Sequence, residues 1–351
     1  MEPEKPLLAI TLGDPAGVGP EIIAAAWQSP QLHRLARVCV LGHPAILRRA
    51  VALRGGAAEV VEIDVPEAAE PAPDRIPCLT CIADEAVHTP PAQVDARGGQ
   101  AAYDALVTAA QFALAGRIDG LVTAPLHKAA LWEAGHHYPG HTELLAELCG
   151  VSEVAMMLYL ARGERIVGRG GLGVAHVTLH MALRDVFAHL TPANIFSRIR
   201  LADQVMRAML ADEPDATPKI GVCALNPHAG EQGLFGDEEQ RIIAPVVEQA
   251  RQAGYRAEGP FPADTLLARA AQGEFDAVVA MYHDQGHIAL KLLEMHRAVN
   301  ITLGLPIVRT SVAHGTAFDL AWQGRAEWSG LIEALRVAAR LAGLRADRAQ
   351  G

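Results

Sequence analysis

The chain has 351 residues, half of them apolar and a fifth charged, enough to bury a full core in two lobes and too apolar for a disordered chain. Thirty Lys and Arg against forty Asp and Glu leave a formal charge of −10. That balance argues against nucleic acid or an anionic membrane as partner, so a small anionic substrate must be drawn by a local basic pocket.

The charged N-terminus, Met1-Glu-Pro-Glu-Lys5, runs directly into a strand. No stretch of about 18 uncharged apolar residues reads as a membrane span, and the chain is expected to be cytoplasmic. Strands are predicted at 7–11, 38–41, 60–63, 121–123, 154–160, 175–179, 220–224, 277–281 and 299–302. Helical spacing of apolar residues marks 100–115, 192–210, 237–253 and 330–344. Alternation of this kind predicts an α/β protein with mostly parallel sheets and helices on both faces. The Pro- and Ala-rich segment 66–93 is expected to be irregular, and 345–351 a frayed tail.

Gly13-Asp-Pro-Ala-Gly-Val-Gly-Pro-Glu21 follows the first strand and opens a helix. Its glycines permit either a tight turn or the close approach of a ligand, and Pro20 suits a first helical turn. Cys78-Leu-Thr-Cys81 is a lone CxxC among five scattered cysteines, without the second pair that a metal site would need. In Gly140-His-Thr-Glu143, Thr142 is either a helix cap or a donor to an anion, and Lys128 lies upstream. Gly168-Arg-Gly-Gly-Leu-Gly173 fits G-x-G-x-x-G on paper, but strand residues follow it where a dinucleotide fingerprint needs a helix. A hairpin tip between two strands is expected there.

His180, His228 and His283 each stand where an extended apolar run breaks into a polar loop. Strand ends of an α/β fold face one crevice, and three neutral imidazoles meeting there would hold a divalent ion with positions left open. Asn226 and Glu231, and Asp284 and Gln285, are polar neighbours suited to orient such rings. His287 follows His283 by four residues, but Gly286 makes a regular helix start doubtful. Lys291, Asn300 and Arg309 form a basic string fit for a phosphate or carboxylate. His314-Gly-Thr316 is a turn that suits a cofactor contact.

Several runs together resemble the 4-hydroxythreonine-4-phosphate dehydrogenase family of vitamin B6 biosynthesis. They are Leu12–Glu21, Gly140–Glu143, His176–His180, Asn226–Glu231, Tyr282–Gly286, Val299–Pro306, Arg309–Ser311 and His314–Ala317. The first and last are also similar to motifs of the isopropylmalate and isocitrate dehydrogenases, which bind NAD(P) without a Rossmann glycine fingerprint. The resemblance implies a two-lobed fold of that kind, with residues 1–130 and 310–351 in one lobe and 131–309 in the other. It places the active site in the cleft, and a homodimer with the site at the subunit interface.

It further implies that His180, His228 and His283 bind one divalent metal (Zn²⁺, Mg²⁺ or Co²⁺), some ligands coming from the partner chain. His141, Thr142, Lys291, Asn300 and Arg309 would hold the substrate and its phosphate. Gly13, Asp14, His314, Gly315 and Thr316 would lie at NAD or NADP. The expected reaction oxidises and then decarboxylates a 4-phosphorylated 3-hydroxy acid, with Lys128, Asp264 and Asp284 as acid–base candidates. The leading substrate is 4-hydroxy-L-threonine 4-phosphate.

The chain departs from the family pattern at Ala313, where Asp is usual, and in an enlarged 166–173 segment. Residues 286–293 are closer to relatives acting on D-threonate or D-erythronate 4-phosphate. Terephthalate cis-dihydrodiol dehydrogenase shares 177–180, but lacks equivalents of Asn300 and Arg309. Outside these, the residues admit an NAD-independent metal hydrolase or aldolase, or a metal-free binding protein on the same fold.

Overall fold

The computed structural model describes residues 5–350, with side chains from 5 to 343. Met1–Glu4 and Gly351, part of the charged start and of the expected tail, lie outside the described residues. Twelve strands form among these residues, numbered in chain order as β1 Leu7–Thr11, β2 Arg37–Gly42, β3 Glu59–Ile63, β4 Arg75–Thr80, β5 Gly120–Thr123, β6 Ala155–Leu160, β7 Leu172–His176, β8 Lys219–Cys223, β9 Arg256–Phe261, β10 Ala277–Ala280, β11 Val299–Leu303 and β12 Arg309–Val312.

Internal contacts divide the chain into residues 1–154 with 305–351, and residues 155–304. These boundaries differ from the 130/131 and 309/310 expected from the sequence, for a packing reason. Leu144 and Leu145, on the helix His141–Leu148, join Leu106, Ala109, Leu121, Leu305 and Ile307 in one buried cluster. Burial of that apolar face commits 131–154 and 305–309 to the first unit.

In the first unit the order is β3-β4-β2-β1-β5-β12 and every neighbouring pair in it is parallel. β1 is buried at all five positions, as a strand covered on both faces must be. The helix Ala96–Leu114 buries Ala101, Ala105 and Ala109 on one face, and Asp95 caps it by accepting from the Arg97 N–H at 2.8 Å. In the second unit the order is β11-β6-β7-β10-β8-β9. β6 pairs antiparallel with both β11 and β7, while β7, β10, β8 and β9 run parallel.

The paper dinucleotide motif at 168–173 is the tip of the β6–β7 hairpin, as its flanking strands predict. That tip is tethered. Arg169 donates to both carboxylate oxygens of the buried Asp276 (3.1 and 3.0 Å) and to the Thr217 carbonyl.

Three strands escape the sequence reading. β4 lies inside the segment expected to be irregular, and Pro77 is the reason: a proline rarely sits in a strand paired on both sides, yet β4 lies between β3 and β2. Gly259-Pro260 similarly masks β9, which ends the sheet beside β8. β12, Arg309–Val312, falls outside every predicted strand. A π-helical turn at Glu239–Ile243 precedes the helix Ala244–Gln252, so 237–253 is not one regular helix. The helix Ser329–Gln350 continues through residues expected to fray.

Candidate active site

In the second unit, parallel strands β7, β10 and β8 end on one edge and hand over to the predicted histidines. β7 ends at His176, three residues earlier than expected, because the alternation of 172–176 fits the pairing with Met157–Leu160. His180 therefore stands four residues past the strand, and His176 occupies its buried last position. His283 opens the helix His283–Glu294, and Gly286 is accommodated within it despite the expectation of an irregular start.

The His180 and His283 rings stand 5.7 Å apart. Two imidazoles on one tetrahedral ion have ring centres roughly 5 to 6 Å apart, given N–metal bonds near 2 Å. Asp284 Oδ1 meets His283 Nδ1 at 2.7 Å, which leaves Nε2 as the ring's open nitrogen. His180, His283 and Asp284 line a hollow of about 370 Å³.

His228 is placed differently. It lines a neighbouring hollow of about 580 Å³ with Asp264, Tyr282 and Asp284. Among the described residues no three His, Cys, Asp or Glu side chains are arranged to hold a metal within one chain. Two of the three predicted imidazoles come together, and Tyr282 and Asp284 are shared by both hollows. His228–Gln232 all have positive φ, from 42° to 76°, and each non-glycine residue there costs about 1–2 kcal/mol. The buried Glu239 pins this turn, accepting from the N–H groups of Leu225 (2.8 Å) and Asn226 (2.7 Å). Strain over-determined in this way is characteristic of functional segments.

Gln285 ties two strand ends together, accepting from the Met281 N–H and donating to the Ala224 carbonyl, both at 2.7 Å. Lys291 is exposed in the third turn of the His283–Glu294 helix rather than at an element's end. Asn300 lies in β11, and its Oδ1 is buried without a partner. Asp264 accepts from the Thr265 N–H at the start of its own helix.

Behind His283 is a pair that the sequence reading missed. His176 Nε2 and His287 Nδ1 are 3.1 Å apart. Burial first, then the neighbouring histidines, push His176 down to about 3 and His287 to about 4, so both are neutral at ordinary pH. The available signal was spacing: His176 precedes His180 by four residues, and His287 follows His283 by four.

The first unit gathers the rest. Arg309 is 5% exposed and donates from Nη2 to Thr123 Oγ1 at 2.7 Å. Burial lowers its guanidinium to about 10, still charged at neutral pH. His141 is held well below its ordinary value by burial, then by the Arg309 charge, and is a neutral imidazole. Gly140 occupies the cap position of the His141–Leu148 helix and Thr142 lies two residues inside it. Capping, the simpler reading of Thr142, is thereby overturned. Lys128 is exposed, and its side chain runs past Gly140.

Gly13 adopts φ +73°, and a Cβ there would meet the Pro125 carbonyl at 2.4 Å. Gly17 abuts Thr316, and the Val18 N–H donates to the Thr316 carbonyl at 3.0 Å. The turn and its packing against 316 thus explain these glycines. Glu21 is buried and accepts from the N–H groups of Trp322 and Gly324 (2.7 and 2.9 Å), a structural clasp. Burial pushes the thiols of Cys39 and Cys81 up to about 12, and that of Cys78 higher still.

Asp14 is fully buried. Its Oδ1 accepts from the Ala16 N–H (2.8 Å) and its Oδ2 has no partner. Burial raises this carboxyl from 3.8 to about 6. The folded chain then holds the proton more tightly than the unfolded one, so stability falls as pH rises from about 4 to about 6. Asp14→Asn is expected to stabilise the fold by about 2–3 kcal/mol near pH 8 and by little near pH 3.5. Urea unfolding of both proteins at the two pH values checks this, and an equal gain at both would refute it.

Residues 34–338 match the family described as pyridoxal phosphate biosynthetic protein PdxA. The chain belongs to this family. A 4-hydroxythreonine-4-phosphate dehydrogenase of Geobacter metallireducens is 45% identical, covering 96% of each chain. A D-threonate 4-phosphate dehydrogenase of Salmonella typhimurium is 43% identical, covering 97% of this chain and all of that one. The crystal structure of a 4-hydroxythreonine-4-phosphate dehydrogenase from Klebsiella pneumoniae superposes with a TM-score of 0.83 at 42% identity, over 96% of this chain and 99% of the other. This PdxA-family protein is an oxidoreductase of the dehydrogenase type. Among its described residues no helix is long and apolar enough to cross a membrane.

Proposed function

We propose that this protein is a metal- and NAD(P)-dependent dehydrogenase that oxidises the CH–OH group of a small 4-phosphorylated 3-hydroxy acid and then decarboxylates it. The best substrate is 4-hydroxy-L-threonine 4-phosphate. The observation that carries the phosphate is Arg309, a buried, charged guanidinium beside the neutral His141. A guanidinium presents the planar, bidentate donor pair that a phosphate matches, and Thr142, which does not cap the helix, lies at the same helix start as His141.

His180 and His283 suit a divalent ion in donor type and spacing, with His228 completing the set. Once bound, the ion would acidify the substrate hydroxyl and stabilise charge as CO₂ leaves, while the nicotinamide takes the hydride. Asp284 orients His283 and is engaged in doing so, which leaves Asp264 and Lys128 as the remaining acid–base candidates. Asn300 offers the substrate an unused Oδ1 and Lys291 a point charge. At Gly315 a Cβ would meet open space, so the chain's own packing does not require glycine there. Approach of the cofactor, with Gly13, Asp14, His314 and Thr316 around it, supplies a reason for it.

A homodimer belongs to this reading. Leu183 and Leu292 are 65% and 75% exposed, and Phe187 and Ile288 are exposed with them. Leu183 borders the His283 hollow, and Ile288 and Leu292 border the His228 hollow. Apolar surface of this kind beside a site calls for cover, and a second copy could supply the third imidazole. The 43% identity to a D-threonate 4-phosphate dehydrogenase favours D-threonate or D-erythronate 4-phosphate as the second reading. Terephthalate cis-dihydrodiol would leave the Arg309 pocket without a phosphate.

The test offers all four substrates with NAD and with NADP to metal-supplied protein, and follows nicotinamide reduction with and without a chelator. Chelator-sensitive reduction with one phosphorylated acid is the expected result and selects the substrate. Chelator-sensitive turnover without nicotinamide reduction would instead establish a hydrolase or aldolase.

A further inference from the structure

The helix carrying His283 contains a second histidine one turn on, and the two rings are stacked, 3.8 Å between centroids and 10° between planes. Rings that close and that parallel cannot both aim a nitrogen at one tetrahedral ion, whose ligand rings must splay to roughly 5 to 6 Å. His287 is therefore no alternative ligand. It is 6% exposed, and its Nδ1 lies 3.1 Å from His176 Nε2 and 3.3 Å from the carbonyl oxygen of His283. His176 is 1% exposed, at the buried end of β7. Its ring lies 4.6 Å from that of His287 and 6.4 Å from that of His283.

Room for this arrangement comes from Gly286. A Cβ there would stand 2.5 Å from His176 Nε2 and 2.7 Å from Val174 Cγ1. Glycine inside a helix costs roughly 1 kcal/mol relative to alanine, and here that cost opens the slot in which the two histidines meet.

We infer that His176 and His287 form a buried brace: the hydrogen bond between them fixes the His287 ring plane, and the stack transmits that plane to His283. Asp284 sets which nitrogen of His283 is open, and the brace sets where that nitrogen points. His176 and His287 are thus positioning residues, remote from the reacting atoms. The inference rests on the proposed reading of His283 as a ligand of a divalent ion.

The test uses Co²⁺ alone, without substrate or turnover. Affinity and the visible d–d bands are followed for the full-length wild type and for His287→Ala, His176→Ala, His287→Phe, the double alanine variant and His283→Ala. Circular dichroism and thermal melting confirm folding. His287→Ala is expected to bind Co²⁺ about 10- to 100-fold more weakly, the usual cost of losing an orienting partner, with altered bands. His287→Phe keeps the volume and the stack but not the hydrogen bond. It should lose several-fold, and it carries the test if an alanine variant does not fold. The double variant should bind no more weakly than His287→Ala, because both residues act through one contact.

Wild-type affinity and spectrum in His287→Ala and His287→Phe, with binding lost in His283→Ala, would overturn the brace and leave the metal reading standing. Fully additive losses in the double variant would overturn the hydrogen-bonded relay. Unchanged Co²⁺ binding in His283→Ala would remove the metal reading, and the brace with it.

Discussion

Replacing His283 with alanine is expected to strip the protein of its divalent ion and to lower turnover by about 10³-fold or more, since Lewis-acid assistance contributes several kcal/mol to such reactions. His283 stands 5.7 Å from His180 and has its Nδ1 committed to Asp284. Removing it leaves His180 without its neighbouring donor. Metal content of the purified variant, measured beside its activity, checks the prediction. His228→Ala should show the same loss if His228 is the third ligand. The fold should survive both changes, because His228 and His283 lie at hollows rather than in the core. Full metal retention by the folded His283→Ala protein would refute the assignment.

Arg309→Ala is the second large effect, expected to raise KM for the phosphorylated substrate about 10²-fold with a smaller change in kcat. A charge-assisted hydrogen bond to a phosphate is worth about 1.5–3 kcal/mol, and interactions made equally in ground and transition states appear in KM. Arg309→Lys should recover little, because a point charge does not reproduce a planar fork. Arg309 is also packed against Thr123, so a purely structural role must be separated. Comparing each protein on the phosphorylated substrate and on its dephosphorylated analogue does this. Equal losses on both would mean that Arg309 supports the fold rather than the phosphate.

Much of the fold is legible locally. β1, β2, β5, β8 and β10 lie within a residue or so of their expected places, because buried parallel strands read as continuous apolar runs. The hairpin at 168–173 is legible for a related reason, since the residues after it form a strand and not a helix. Proline defeats the reading of β4, whose pairing on both sides is a tertiary fact. Gly286 defeats it in the other direction. It looks like an interruption of the helix and is a fitted position inside one.

The sequence by itself determined the alternation of strand and helix, the family motifs and the kinds of side chain available for chemistry. Periodicity, turn residues and spacing act over a few residues, and a sequence displays them directly. Only the tertiary structure decided which side chains share a neighbourhood. Arg309 meets Thr123 across 186 residues, and His287 meets His176 across 111. It likewise decided which groups are buried deeply enough to change charge: Asp14 raised to about 6, and His176 lowered to about 3. Burial and long-range pairing depend on how distant segments pack. Local pattern nominates residues such as His283 and Arg309, and packing assigns the partners that give them a role.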